Sequence, residues 1–443
     1  MCSIGEEDFG DEGGAHAMIE DIKSLEIVDE ICKKCSNEKS VINIIYAMCK
    51  TCFLHYVTHK FRASLSASKI VPSNSKVLLN FSGYAPDVCI LDMIDKGLLL
   101  EYHKKLRFEL EIIYIDEDCL NEGNDINDLK RRYERIDKVK KILEQFVKFK
   151  CHYSSIANKY IVLPLDDIKE NDMNAVINDE IKLLAYLKSL KSSTCKQDYV
   201  DIIRNENLRH IANQLNCQFV FLTDTTIDLA KRFISNMALG RGSSVAFDVS
   251  FCDDRVKSIR FLRPIKNVNM IEVESYIKLK DLDVIGAQKE ISNTNQLSIQ
   301  NVTSQFIDGL QQNFSSTVST VARGCSKIAP YKKSNQSNHV NGEISSKLNQ
   351  TSASVTDINQ RCYLCKSFLD YQNSETLYAI EFSRFVSEAA ADIEHILKNT
   401  EKIEEKAMSE VNSNENEFKK HLCHGCRNIF IGSSDDILAE IFQ

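Results

Sequence analysis

Cys32 and Cys35 are followed by Cys49 and Cys52, and the same CxxC spacing returns at Cys362/Cys365 and Cys423/Cys426. Two residues between cysteines let one turn of backbone aim both sulfurs at a single ion, and two such knuckles complete a closed four-sulfur shell. Zinc suits that shell. Four reduced structural cysteines would not explain the repeated spacing, and a redox pair would need only one CxxC. An iron–sulfur cluster is the lesser metal alternative. His421 and His424 are spare ligand candidates beside the second set, although each also reads as a local hydrogen-bonding residue. Neither set brings an obvious water-activating partner, so both read as clamps, not reaction centres.

The other constellation is Ser82 to Asp87, SGYAPD, lying between the apolar run Val77–Phe81 and the helix-like stretch Val88–Leu99. A loop that cradles phosphate needs small residues, convergent backbone N–H groups and often a cation. Ser82 and Gly83 fit that need. Tyr84 is bulky, Pro86 has no N–H, and Asp87 would repel a phosphate, more strongly in a partly dehydrated site. The position of an ATP site is kept while its chemistry is removed.

These residues need a scaffold. The short apolar runs Val77–Phe81, Leu110–Ile115, Ile161–Leu165 and Phe219–Thr223 alternate with helical patterns at Leu129–Phe149, Asn207–Leu215 and Ile227–Met237. Near-continuous apolar strands alternating with helices predict an α/β fold, a parallel sheet buried on both faces under covering helices. The chain divides into an acidic mobile tail (1–30), an N-terminal zinc module (31–70), the sheet domain (71–286), a flexible Ser/Asn-rich insertion (287–360) and a C-terminal zinc module (361–443). The insertion has few apolar anchors to offset the entropy of ordering, though helix can persist at its start through Phe306 and Leu310. Phe382–Val411 reads as one amphipathic helix between the last two cysteine pairs.

A net charge of −8 argues against a wholly basic nucleic-acid binder, but RNA binding depends on a local basic face. Lys60 and Arg62 follow the first knuckles, and Arg241 sits in a glycine-flanked turn; these are the leading candidates for RNA phosphate contacts. The runs Lys130–Lys141 and Arg255–Lys266 are basic too, and equally suit solvated helix faces. Sixteen cysteines without a secretory leader do not suit a disulfide scaffold, and no run is long enough to span a membrane, so a cytosolic or nuclear setting is expected.

CKKC at Cys32, CKTCF at Cys49, HKFRASL at His59, VLLNFSG at Val77, NMALGRGSS at Asn236, FLRPIK at Phe261, CYLC at Cys362 and LCHGC at Leu422 occur in this order. Together they make the chain resemble the cytosolic tRNA 2-thiolation protein 2 family, degenerate relatives of the N-type ATP pyrophosphatases with an adenine nucleotide alpha hydrolase-like fold. The likeness spans all but the acidic start and the Ser/Asn-rich insertion. Active members of the superfamily carry SGGxDS; here Tyr84 replaces the second glycine, Pro86 the aspartate and Asp87 the final serine. Where the catalytic sister subunit has a GHNxDD-like segment, this chain reads LTDTTID, and Asp224 and Asp228 could orient a cation or simply start a helix. Cys195 lies near one sulfur-handling cysteine of the sister. No cysteine between Asp253 and Gly324 supplies a second, so Cys195 is a weak catalytic candidate that also reads as a plain thiol.

The resemblance implies a cytoplasmic heterodimer that makes 5-methoxycarbonylmethyl-2-thiouridine at wobble position 34 of tRNA Lys, Glu and Gln. ATP at catalytic subunit 1 would adenylate the uridine C2 oxygen. A ubiquitin-related modifier bearing a thiocarboxylate would then supply sulfur. This chain would pair with subunit 1 and extend the tRNA surface. The alternatives are an active ATP-dependent tRNA sulfurtransferase and a zinc-stabilised interaction scaffold.

Overall fold

The computed structural model describes residues 31–44, 46–101, 105–121, 129–146, 149–286, 298–327, 361–369 and 421–430. The expected acidic tail and the helix read at Phe382–Val411 lie outside the described residues. The chain forms two compact units, Met1–Tyr331 and Lys332–Gln443.

The first unit opens with a two-stranded ribbon, β1 (Ile42–Asn43) and β2 (Ala47–Met48), then α1 (Lys50–Ser68). Next come β3 (Ser75–Asn80), α2 (Ala85–Leu99), β4 (Phe108–Asp116), α3 (Leu129–Leu143), β5 (Lys150–Ser155), β6 (Asn158–Pro164), α4 (Glu170–Ser189) and α5 (Ser193–Gln214). The remainder is β7 (Phe219–Phe221), α6 (Thr226–Ala238), α7 (Val245–Val249), β8 (Cys252–Asp253), β9 (Arg260–Leu262), α8 (Met270–Lys280), α9 (Ile299–Asn313) and α10 (Ser315–Lys327). The seven strands of the main sheet run β6-β5-β4-β3-β7-β9-β8, parallel except at the two edges.

Val77 and Leu79 point to one face and Leu78 to the other, and all three are fully buried. This burial on both sides is why the strand reads as continuously apolar. Val77 pairs with Leu110 of β4 and with Phe219 of β7. The chain leaves β3 toward β4 and returns on its other side at β7, so the crevice between the ends of β3 and β7 is where α/β folds bind ligands. α1 buries Phe53, Val57 and Phe61 in the same core cluster as Val77, Ile94 and Val273, so the first cysteine module is welded to the sheet domain.

Three expectations change. The run at Ile161–Leu165 belongs to an antiparallel edge strand, because only Ile156 and Ala157 separate β5 from β6 and a parallel return needs a long crossover. β5, KCHYSS, carries too little apolar signal to be read as a strand. Within the segment expected to be flexible, the helix expected through Phe306 and Leu310 is α9, and α10 follows it unanticipated; Ile307 and Val318 of this pair pack on Ile227 and Ala230 of α6. The apolar residues there are few but recur at helical spacing, and the Ser298 hydroxyl caps α9 by accepting from Asn301 N at 3.1 Å. Among the described residues no helix is long and apolar enough to cross a membrane.

Candidate metal centres and nucleotide loop

Each CxxC…CxxC set folds to one point, with its four sulfurs all within 4.8 Å of one another. The two sets share one local architecture. In the first, Ser36 adopts a left-handed conformation (φ 56°) just past Cys35 and donates its N–H to Cys32 O at 2.8 Å. In the second, Lys366 does the same past Cys365 (φ 60°), donating to Cys362 O at 3.0 Å. The later pairs stand at helix starts: Cys49 caps α1 with its sulfur, and Cys423 holds the N-cap position of the short α11 (His424–Ile429) without a side-chain capping bond. Sulfurs from the two halves meet, Cys35 with Cys49 at 3.8 Å and Cys365 with Cys423 at 3.5 Å. Neither His421 nor His424 joins the clustered donors.

The titration of these thiols fits a cation site. Burial opposes the Cys32 thiolate, yet backbone N–H groups of Cys49, Cys35 and Lys34 bring its pKa down to about 6, while burial pushes Cys49 and Cys52 up. In the second set, Cys365 opposes the Cys362 thiolate, but hydrogen bonds from Cys423 and Cys426 together bring its pKa below the ordinary value. Cys423 and Cys426 are themselves driven up, first by Cys362. Packed sulfurs cannot all ionise without positive charge between them. A cation there would let all four act as thiolates.

The nucleotide loop is filled by the chain itself. Gly83 takes φ 85°, and a Cβ on it would stand 2.7 Å from the Ile285 side chain. Gly83 O accepts from Ile285 N at 2.8 Å, and Ala85 N donates to Gly286 O at 3.0 Å, so residues 285–286 lie along the loop as a bridged strand. Asp87 is 5% exposed. Its Oδ2 accepts from Ser82 N at 2.7 Å and its Oδ1 from the Thr223 hydroxyl at 2.6 Å. Asp87 therefore does not stand at the mouth repelling a phosphate, as its sequence position suggests. It lies in the crevice between β3 and β7, bonded to a residue following each strand. The Tyr84 hydroxyl accepts from Arg135 at 3.1 Å.

Comparison with known proteins bears on this geometry. The family model "Cytoplasmic tRNA 2-thiolation protein 2" matches residues 298–428. The protein of that name from Anopheles gambiae is 37% identical over 442 residues, covering 97% of this chain and 99% of its own length. The Drosophila melanogaster protein is 35% identical over 438 residues, covering 97% of this chain and 98% of its own. The chain belongs to the cytoplasmic tRNA 2-thiolation protein 2 family. Among solved structures, the U34-tRNA thiolase NcsA from Methanococcus maripaludis with its [4Fe-4S] cluster covers 70% of this chain and 93% of its own, at 18% identity and a TM-score of 0.48. NMN synthetase from Francisella tularensis reaches a TM-score of 0.31 at 13% identity, covering 65% of this chain and 99% of its own. At these scores the likeness carries no chemistry across.

In this member of the 2-thiolation protein 2 family, several residues singled out by sequence hold the fold. Asp224 pairs with Arg232 at 3.0 Å and Arg263 at 2.9 Å; burial would raise its pKa, but the two guanidiniums hold it below the ordinary value. Asp228 caps α6, accepting from Thr225 N at 2.9 Å and its hydroxyl at 2.7 Å, and burial raises its pKa. The helix-start reading thus describes Asp228, and an ion pair describes Asp224. Cys195 lies in the first turn of α5, where its N–H donates to Ser192 Oγ at 3.1 Å and the same hydroxyl lies 3.1 Å from its Sγ.

The expected RNA contacts are redirected. Lys60 bonds both oxygens of Glu272 at 2.7 and 2.8 Å. Arg241 is 6% exposed and donates to Asp198 at 2.7 Å. Both side chains make ion pairs within the fold, and the Lys60 side chain keeps 22% exposure. Arg62 is half-buried on α1. In the basic run of α3, Arg132 is buried against Asp116 and Glu180, and Arg131 reaches Asp118 at 2.7 Å. Glu272 is fully buried and was not singled out by sequence. Its signal was present: with Asn269 it forms the Asn-x-x-Glu capping box of α8.

Proposed function

We propose that this chain is a non-catalytic or weakly catalytic subunit of a cytoplasmic tRNA thiolation heterodimer. In that complex it supports the 2-thiolation that yields 5-methoxycarbonylmethyl-2-thiouridine at wobble position 34 of tRNA Lys, Glu and Gln. The catalytic subunit 1 binds ATP and adenylates the uridine, and the thiocarboxylated ubiquitin-related modifier supplies sulfur. This chain stabilises subunit 1 and contributes to the tRNA surface. The observation that carries the reading is Asp87, whose carboxylate holds Ser82 N–H and Thr223 in the crevice that a nucleotide would need.

Both cysteine sets hold zinc in this reading. Sulfurs within 4.8 Å of one another suit a single ion about 2.3 Å from each. A cubane cluster, with its irons standing between the thiolates, needs them farther apart.

Reconstitution tests the assignment. The purified chain, subunit 1 and both together are supplied with ATP, the thiocarboxylated carrier and unmodified tRNA, and wobble-uridine sulfur is measured. Sulfur incorporation requiring subunit 1, and rising when this chain is added, is the expected result. Adenylation and sulfuration by this chain alone, abolished by Cys195→Ser, would make it an enzyme and overturn the reading. No effect of this chain on tRNA binding or product would leave only a scaffold.

A further inference from the structure

The C-terminal knuckle differs from the N-terminal one in what it presents. The tip of the first carries exposed Lys33 and Lys34, with Glu38 close behind. The tip of the second carries Tyr363, 48% exposed between the buried sulfurs of Cys362 and Cys365. Tyr363 is fixed from both sides of its backbone: its N–H donates to His421 O at 2.9 Å, and its O accepts from Lys366 Nζ at 2.5 Å. The Lys366 ammonium lies 4.9 Å from the centre of the Tyr363 ring. Lys366 holds the left-handed conformation, uncommon for a long side chain, that turns the chain back under the tip.

Outside the cysteine cluster, the charged side chains among the described residues of this module are all basic. The described residues of the module, 361–369 and 421–430, include Arg361, Lys366 and Arg427 and no Asp or Glu, in a chain of net charge −8. Four thiolates on one dication leave two negative charges in the buried centre, fewer than these three cations. Arg361 stacks on Phe368 at 4.4 Å and donates to Lys366 O at 3.2 Å, which places its guanidinium by the same turn. A half-exposed aromatic ring on a fixed backbone, with Lys366 at the ring and Arg361 at the same turn, suits a nucleobase stacked on its open face and phosphates beside it.

We infer that this knuckle binds an unpaired RNA nucleotide, the base stacking on Tyr363 and the flanking phosphates meeting Lys366, Arg361 and Arg427. The inference rests on the tRNA reading above and supplies the RNA surface that Lys60 and Arg241 do not. A duplex is a poor occupant, because its bases are already stacked on each other.

The chain contains no tryptophan, so Tyr363→Trp in the full-length, metal-loaded protein creates a single indole reporter at the tip. Titration with tRNA and with single-stranded oligonucleotide should quench its emission, while duplex RNA and inorganic triphosphate should not. In the complex with subunit 1, Tyr363→Ala should weaken tRNA binding at least about fivefold, and Tyr363→Phe should bind as the parent does. Metal content is measured for every variant; if Tyr363→Ala loses metal, Tyr363→Trp and Tyr363→Phe carry the test. Unchanged tRNA affinity in Tyr363→Ala together with an unquenched indole overturns the stacking site and leaves the tRNA reading standing. Absence of any tRNA binding by the complex overturns both. Quenching by an acidic polypeptide as strong as by RNA would show a protein-docking tip and also overturn the inference.

Discussion

Removing the Asp87 carboxylate leaves two donors without an acceptor, the Ser82 N–H and the Thr223 hydroxyl, both in the crevice between β3 and β7. Asp87→Ala should therefore destabilise the sheet domain by about 2 kcal/mol in urea unfolding, and Asp87→Asn, which retains one acceptor, by less. ATP binding should not appear in Asp87→Ala by calorimetric titration, because Gly286 O still holds Ala85 N–H and position 86 still lacks one. At this scale the sequence marks which residues are unusual but not what they touch. Asp87 reads as a charge facing the loop mouth, whereas its carboxylate is buried on Thr223, a partner 136 positions away. The cysteines are legible because their partners are written into their own spacing. Lys60 and Arg241 are not, because Glu272 and Asp198 are distant in sequence. The buried aspartates also set an acid limit. Asp92, Asp224 and Asp253 are held below the ordinary carboxylate pKa, against the effect of burial, by Lys280 and Lys96, by Arg232 and Arg263, and by Arg255. A depressed folded-state pKa gives stability that is present above the unfolded value and lost as pH falls through the folded one. Circular dichroism should show stability falling as pH drops below about 4, and Asp224→Asn should lessen that dependence.

At the scale of elements, the Lys60–Glu272 pair joins α1 to α8 and so ties the first cysteine module to the sheet domain. The two ends are unequal: the Lys60 side chain is 22% exposed, whereas Glu272 has no exposure. Lys60→Met therefore leaves a buried carboxylate with its ammonium partner removed, at a cost on the order of 3 kcal/mol. The double variant Lys60→Met/Glu272→Gln should recover much of that loss, and a double-mutant cycle by chemical denaturation measures the coupling. Elements were legible where burial is double-sided or the helical period is strong, as in β3, β4 and α6. They were hidden where composition is polar. β5 is held by its neighbours β4 and β6, not by its own propensity. α9 and α10 place a narrow apolar stripe in a Ser/Asn/Thr-rich run, and Ile307 is fully buried against α6. Ile307→Ala should cost about 2–5 kcal/mol, seen as faster amide exchange across residues 299–327.

For the molecule as a whole, metal content and folding are one question in the N-terminal module. Phe53, Val57 and Phe61 of α1 are fully buried in the main core, and α1 begins at Cys49, one of the four clustered sulfurs. An ion at this site fixes the start of a helix that the core depends on, so binding free energy becomes folding free energy. Elemental analysis should find two metal ions per chain if both clusters are filled. Cys32→Ser should remove one ion and lower the thermal midpoint of the sheet domain, and a strong chelator should do the same to the parent protein. Cys362→Ser should remove the other ion and unfold its own knuckle, abolishing the indole quenching of the Tyr363→Trp protein. If Cys32→Ser keeps the midpoint while losing the metal, α1 is held by Phe53, Val57, Phe61 and the Glu272 pair alone, and the first cluster is not a folding clamp.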